Sequence, residues 1–168
     1  VSAATERKAS DKLIEMIKDF EGFTSRAFYD NGQYSIGYGT ACKYNEYPNG
    51  ITKDQADKLL RSKLEEIESD LNDFAKGNGL RFSQQQFDAL ISFTYNVGSA
   101  WMNSSTLKTA ITQGAKSNEI IFALSIWCNA GGSVMESLVW RRLAEANLYF
   151  NGIYSKDYPS NYRYVLYD

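Results

Sequence analysis

The dipeptide Asn31-Gly32 restricts this chain more than any other stretch. A two-residue type I′ turn needs positive φ at both central positions, which Asn and Gly accept with least strain, and the residues on either side read as extended. The turn fixes the pairing: Asp30 stands opposite Gln33, Tyr29 opposite Tyr34 and Phe28 opposite Ser35. Strand side chains alternate, so Asp30 and Ser35 share one face as diagonal neighbours, with Cβ atoms about 6–8 Å apart. Ala27, Tyr29, Tyr34 and Ile36 share the other face. Beyond them, Gly37 and Gly39 predict a bend or a close approach of backbone.

A helix should lead into this hairpin. Ser10 is placed to cap it, Leu13, Ile14, Ile17 and Phe20 recur at helical spacing, and Gly22 stops it. Glu21 falls on the same apolar face, since Ile14, Ile17 and Glu21 are three and four residues apart. The two halves of the segment therefore bring forward two carboxylates, one at a helix end and one beside a tight turn.

Residues 1 to 9 are polar and read as a frayed or partly helical lead-in, without the charged start and apolar core of a secretory signal. Residues 41 to 51 read as a loop or a third short strand. Thr52 and Gln55 form a capping box for a helix whose stripe is Ala56, Leu60, Leu64, Ile67, Leu71 and Phe74. Its length suits a strut between lobes, and its charged face is a solvated one. Ser83 and Gln86 cap the next helix, which buries Phe87, Leu90, Ile91 and Tyr95 and closes at Gly98. Shorter helices are expected at about 105–112 and 118–127. A last long one, at about 133–150, turns Val134, Leu138, Arg142 and Leu148 inward. The Tyr-rich tail from Ile153 to Asp168 reads as an irregular extension. The fold class is α+β and bilobal: an N-lobe at about 10–52, a connecting helix at about 53–76, and a helical C-lobe at about 77–168 on which the first helix packs.

Composition narrows the chemistry. With no histidine among 168 residues, the chain cannot build a Ser-His-Asp or Cys-His nucleophile, nor a His-containing zinc site. Two cysteines do not make a structural zinc site, so neither metal nor cofactor is expected. A net charge of −2 gives no footprint for nucleic acid, and no apolar run is long enough for membrane insertion. What remains for hydrolysis is carboxylate chemistry, which suits glycosidic bonds. An acid on an apolar helix face is desolvated and holds its proton, whereas Asp30 beside an exposed turn stays charged. The residues alone leave a second reading open, in which Glu21 pairs with a core Arg and Asp30 only forms the turn.

Longer patterns add a resemblance. Phe20-Glu21-Gly22-Phe23, Ala27-Phe28-Tyr29-Asp30 and Ser35-Ile36-Gly37-Tyr38-Gly39-Thr40 resemble the signature of phage-type lysozymes, glycoside hydrolase family 24, especially its lambdoid-phage endolysin branch. The blocks from Gln86 to Leu90, Tyr95 to Gly98, Ser104 to Leu107, Trp127 to Gly132 and Leu138 to Glu145 continue the likeness in order. The resemblance implies a bilobal lysozyme-like fold that hydrolyses the β-1,4 bond between N-acetylmuramic acid and N-acetylglucosamine in peptidoglycan, with inversion. It implies Glu21 as general acid, Asp30 as the carboxylate that positions or activates water, and Ser35 in the place of the family's threonine. Such enzymes are made in the host cytoplasm, act on the cell wall as monomers, and take peptidoglycan glycan strands as their partner.

The chain departs from the pattern in several places. Its Asp-to-hydroxyl spacing is one residue shorter, which predicts a shift of turn register. Thr40 stands where a histidine usually follows Gly39, and Ser137 where glycine is usual. A lytic transglycosylase and a weakly active or non-catalytic wall-binding module are the alternatives. Tyr38, Asn96, Ser105 and Arg141 are candidates for contact with substrate, although capping suits Asn96 and Ser105, and helix surface or interlobe support suits Arg141 and Arg142. Trp101 is expected to pack rather than to stack on sugar. Cys42 and Cys128 fall in different lobes, where a disulfide would pin the cleft and two free thiols are the commoner arrangement.

Overall fold

The computed structural model describes residues 6–166. Helix α1 (Asp11–Glu21) starts where the Ser10 hydroxyl accepts from the Leu13 amide and ends at Gly22, whose φ of 68° no branched residue would take. Leu13, Ile14, Met16 and Ile17 are its buried face.

Strands β1 (Thr24–Asp30) and β2 (Gln33–Gly37) pair in the register set by the turn: Asp30 with Gln33, Tyr29 with Tyr34, Phe28 with Ser35. Asn31 and Gly32 both have positive φ, 48° and 82°. The shortened spacing therefore does not exchange the faces of β2, since Ile36 is fully buried. Strand β3 (Thr40–Cys42) completes an antiparallel sheet of order β1-β2-β3.

Helix α2 (Lys53–Gly77) carries the expected capping box and buries the expected stripe. At 25 residues it spans about 37 Å, and it touches the sheet at its start and helix α3 (Gln84–Val97) farther on. Gly37 allows the first of these contacts, because a Cβ there would lie 2.9 Å from the Ala56 Cβ. Helix α3, capped by Ser83 and Gln86, packs along the last helix. Between them lie α4 (Thr106–Thr112) and α5 (Ser117–Ser125). Trp101 is buried against Phe74 and Phe93, with its indole N–H on the Thr94 hydroxyl at 3.0 Å, so it packs as expected.

Three expectations are corrected. The last helix, α6 (Glu136–Asn151), begins three residues late, because Asn129–Ala130 (β4) and Ser133–Val134 (β5) form a small hairpin around Gly131-Gly132. Two successive glycines at positive φ make a turn where continuous helix was expected, and they leave Val134 66% exposed rather than inward. Helix α5 stops before Trp127. The polar lead-in is neither frayed nor helical over its described part. The backbone of Arg7 exchanges two hydrogen bonds with the Asn72 side chain, and the Ala9 amide donates to Glu68 at 2.5 Å. Residues 1–5 of that lead-in, and the last two residues of the tail, lie outside the described residues.

The tail closes with a 3-10 turn over Ser160–Leu166 and is tied back by the Tyr154 hydroxyl, which donates to buried Asp88 at 2.5 Å. Cys42 and Cys128 are free thiols. Among the described residues no helix is long and apolar enough to cross a membrane.

Candidate catalytic cleft

Glu21 sits at the C-terminal end of α1, where the helix meets the sheet. Its side chain is 19% exposed and its Oε1 accepts from Arg141 Nη1 at 2.7 Å, across 120 residues of sequence. On the other side lies Gly39, at φ 80°. A Cβ there would stand 2.5 Å from Glu21 Oε2, so the hairpin exit presses bare backbone against the acid. This is the close approach that the glycine spacing predicted. Glu21 is thus shielded from solvent but paired with a buried arginine, the contact that the second reading of the residues expected.

Arg141 is itself 7% exposed and fixed from behind. Its Nε reaches Glu145 at 3.4 Å and its Nη2 donates to the Ser92 carbonyl at 3.3 Å, while its guanidinium lies over the Phe20 ring. Fully buried Glu145 accepts from Arg142 Nη1 and from the Ser92 hydroxyl, each at 2.5 Å. Arg142 also donates to the Asn96 side-chain carbonyl. Burial pushes the Arg142 guanidinium below its ordinary range, against the pull of Glu145. Two carboxyl groups and two guanidiniums thus form one connected chain from core to cleft. Of the places expected for the two arginines, the inward side of the last helix holds for Arg142 and helix surface holds for neither; both are buried in this network.

Sequence reasoning missed Glu145, Ser92 and the role of Tyr95. Glu145 had a local signal, lying four residues after Arg141 and three after Arg142 on one helix. Ser92 and Tyr95 had none. The Tyr95 hydroxyl donates to the Tyr38 carbonyl at 2.5 Å and lies beside Thr40. Burial, with the Glu21 charge adding to it, pushes this hydroxyl up to about 12, so it stays a donor at neutral pH.

Asp30 ends β1 and is exposed; Ser35 is half-buried in the middle strand. The register puts both on the sheet face shared with Phe28, Gln33 and Ala41, and the opposite face carries buried Ile36 and Cys42 into the core. The Asp30 face is therefore the open one. The hairpin tip also meets the helical lobe, since Asn31 Oδ1 lies 3.2 Å from where a Gly131 Cβ would sit.

Of the residues expected to touch substrate, Arg141 comes to Glu21. Asn96 is exposed, with its carbonyl taken by Arg142. Tyr38 is buried, its ring between Phe23 and the Lys18 ammonium. Ser105 caps α4, accepting from the Lys108 amide and donating to the Trp101 carbonyl. Both of these side chains are held by the fold. Among the described residues, no cluster of three or more His, Cys, Asp or Glu is arranged to hold a metal ion.

A shielded carboxyl group at a helix end, pressed against the turn after β2 and paired with an arginine of α6, in a chain whose small sheet bears a second carboxylate on one face, fits a two-lobed α+β protein of lysozyme type. The chain belongs to the phage lysozyme family, whose model matches residues 18–145. It is 34% identical over 145 residues to an endolysin of Bacillus phage B103, matching 83% of this chain and 52% of that protein. The chain thus spans about half the length of that relative, and of the similar endolysin of Bacillus phage PZA. Among solved structures it resembles the muramidase domain of SpmX from Asticaccaulis excentricus (TM-score 0.72, 29% identity, covering 86% of this chain and 99% of that one). It also resembles an endolysin from Escherichia coli O157:H7 phage FAHEc1 (TM-score 0.66, 28% identity, covering 94% and 100%).

Proposed function

We propose that this chain is a peptidoglycan muramidase of the endolysin type, which hydrolyses the β-1,4 bond between N-acetylmuramic acid and N-acetylglucosamine. The observation that carries the reading is Glu21, held between Gly39 and Arg141 where α1 meets the sheet and α6, in a chain whose sheet puts Asp30 and Ser35 on one face. Glu21 gives its proton to the glycosidic oxygen as the bond to the anomeric carbon breaks. A water on the other side of the sugar attacks that carbon, Asp30 takes the water's proton, and the Ser35 hydroxyl holds the water in place. Arg141 then faces a carboxylate rather than an acid, and its charge favours the Glu21 product state. Inversion follows if the carboxyl groups stand about 6.5–9.5 Å apart, which leaves room for that water. The protein works as a monomer on glycan strands of the cell wall, its small lobe and helical lobe closing on a strand from either side of α2.

The competing transglycosylase reading needs no water and therefore no Asp30. Digestion of purified walls followed by mass spectrometry separates the two. Products with free reducing ends, and a loss of about 10²- to 10⁴-fold in Asp30→Ala, support hydrolysis. Anhydro-muramyl products that persist in Asp30→Ala would replace it with the transglycosylase reading.

A further inference from the structure

A cavity of about 760 Å³ opens between α4, α5 and the tail, away from the cleft: neither Glu21, Asp30, Ser35 nor Arg141 lines it. Its size falls within the roughly 300–1,000 Å³ of small-ligand pockets. The tail helps to build it, because Val165 forms part of one wall.

The lining has a definite chemistry. Thr106, Gln113 and Asn118 face the cavity and, among the described residues, make no side-chain hydrogen bond; each offers both a donor and an acceptor. Thr109 spends its proton on the Ser105 carbonyl and keeps its lone pairs. Phe122 contributes an aromatic ring that is 43% exposed, although large apolar rings are usually covered. Among the described residues the one charged group in the lining is Glu119, and no Lys or Arg takes part. An anionic ligand would meet repulsion with no compensating cation, and a lipid chain would strand the free amides and hydroxyls. A ligand with interleaved hydroxyl and amide groups and one flat C–H face answers the free groups of Thr106, Gln113 and Asn118 and the Phe122 ring together.

We propose that this cavity is a second, non-catalytic glycan site that takes neutral N-acetylated sugar units. The identity of the glycan as wall strand rests on the muramidase reading, whereas the ligand class comes from the cavity itself. On an insoluble wall, a second grip on the strand raises the effective concentration of the cleft at its substrate without any new catalytic contact.

The test is a titration of the full chain carrying Glu21→Gln with N-acetylchitotetraose, followed residue by residue in 1H–15N spectra. Saturable shifts at Thr109, Gln113 and Phe122 are expected, and Phe122→Ala should remove them while leaving cleft shifts at Gly39 in place. In the otherwise native chain, Phe122→Ala should slow wall clearing about two- to ten-fold and leave turnover of soluble, uncrosslinked glycan fragments unchanged. Shifts in the cleft alone would overturn the second site and leave the muramidase reading standing. Shifts in the cavity alone would support the site and count against that reading. Shifts at neither, cavity shifts that survive Phe122→Ala, or equal binding of a glycerol-phosphate polymer would each overturn the proposal.

Discussion

Replacing Glu145 with glutamine should be among the most damaging single changes this chain can suffer. Glu145 is fully buried and supplies the negative charge for Arg142, itself fully buried, and part of that for Arg141. The amide keeps the shape and part of the hydrogen bonding but removes the charge. The two guanidiniums then lose the carboxylate that lies between them. Arg142 is left between two neutral amides, the one introduced by the substitution and that of Asn96. Breaking one partner of a buried pair costs about 3–5 kcal/mol, far more than the pair itself contributes, because the remaining charge is desolvated and uncompensated. For a domain of this size that corresponds to a fall in Tm of roughly 6–20 °C. Urea unfolding followed by circular dichroism measures it, with Glu66→Gln as control. Glu66 forms only an exposed pair with Lys63 and should change stability by less than about 0.5 kcal/mol. A Glu145→Gln protein within about 1 kcal/mol of wild type would refute the reasoning, since it would mean that water or local relaxation already satisfies Arg142.

Two further outcomes follow from single contacts. Gly39→Ala places a methyl group 2.5 Å from Glu21 Oε2 on a backbone at φ 80°. It should cost about 1–2 kcal/mol in stability and, by displacing the acid, about 10²-fold in wall clearing. Asp57 ties α1 to α2 through Lys18 at 2.7 Å and also holds Arg61 at 2.8 Å. Its hydrogen bond to Lys18 leads the causes that hold its carboxyl below the ordinary 3.8. A lowered acid stabilises the fold above its ordinary value and loses that effect as pH falls through the lowered one. Asp57 is 28% exposed, so Asp57→Asn should cost only about 1 kcal/mol, and the gap in urea midpoint should be full at pH 7 and close as pH drops below about 4.

Much of the fold was legible because its signals are local. The Asn31-Gly32 turn, the Thr52–Gln55 and Ser83–Gln86 boxes, and the stripe from Ala56 to Phe74 each lie within a few turns of chain, and all four appear as read. The β4–β5 hairpin was not legible, since two-residue strands carry no periodicity and Gly131-Gly132 was the only mark of it. The site divides in the same way. Pairing across a short turn put Asp30 and Ser35 on one face, but the partner of Glu21 lies 120 residues away and has no local trace. Gly39 announced a close approach without naming what approaches. Tyr38 and Ser105 suited sugar contact by type, and only tertiary packing shows that the fold already uses them.

The central claim is that Glu21 supplies the proton for glycan cleavage, and its most direct test is wall clearing by the intact chain beside Glu21→Gln. The account predicts that purified bacterial walls lose turbidity with the intact chain, and that Glu21→Gln, with an unchanged circular dichroism spectrum, clears them at least about 10²-fold more slowly. Equal clearing by the two proteins would contradict it, as would an intact chain that binds walls and leaves their turbidity unchanged.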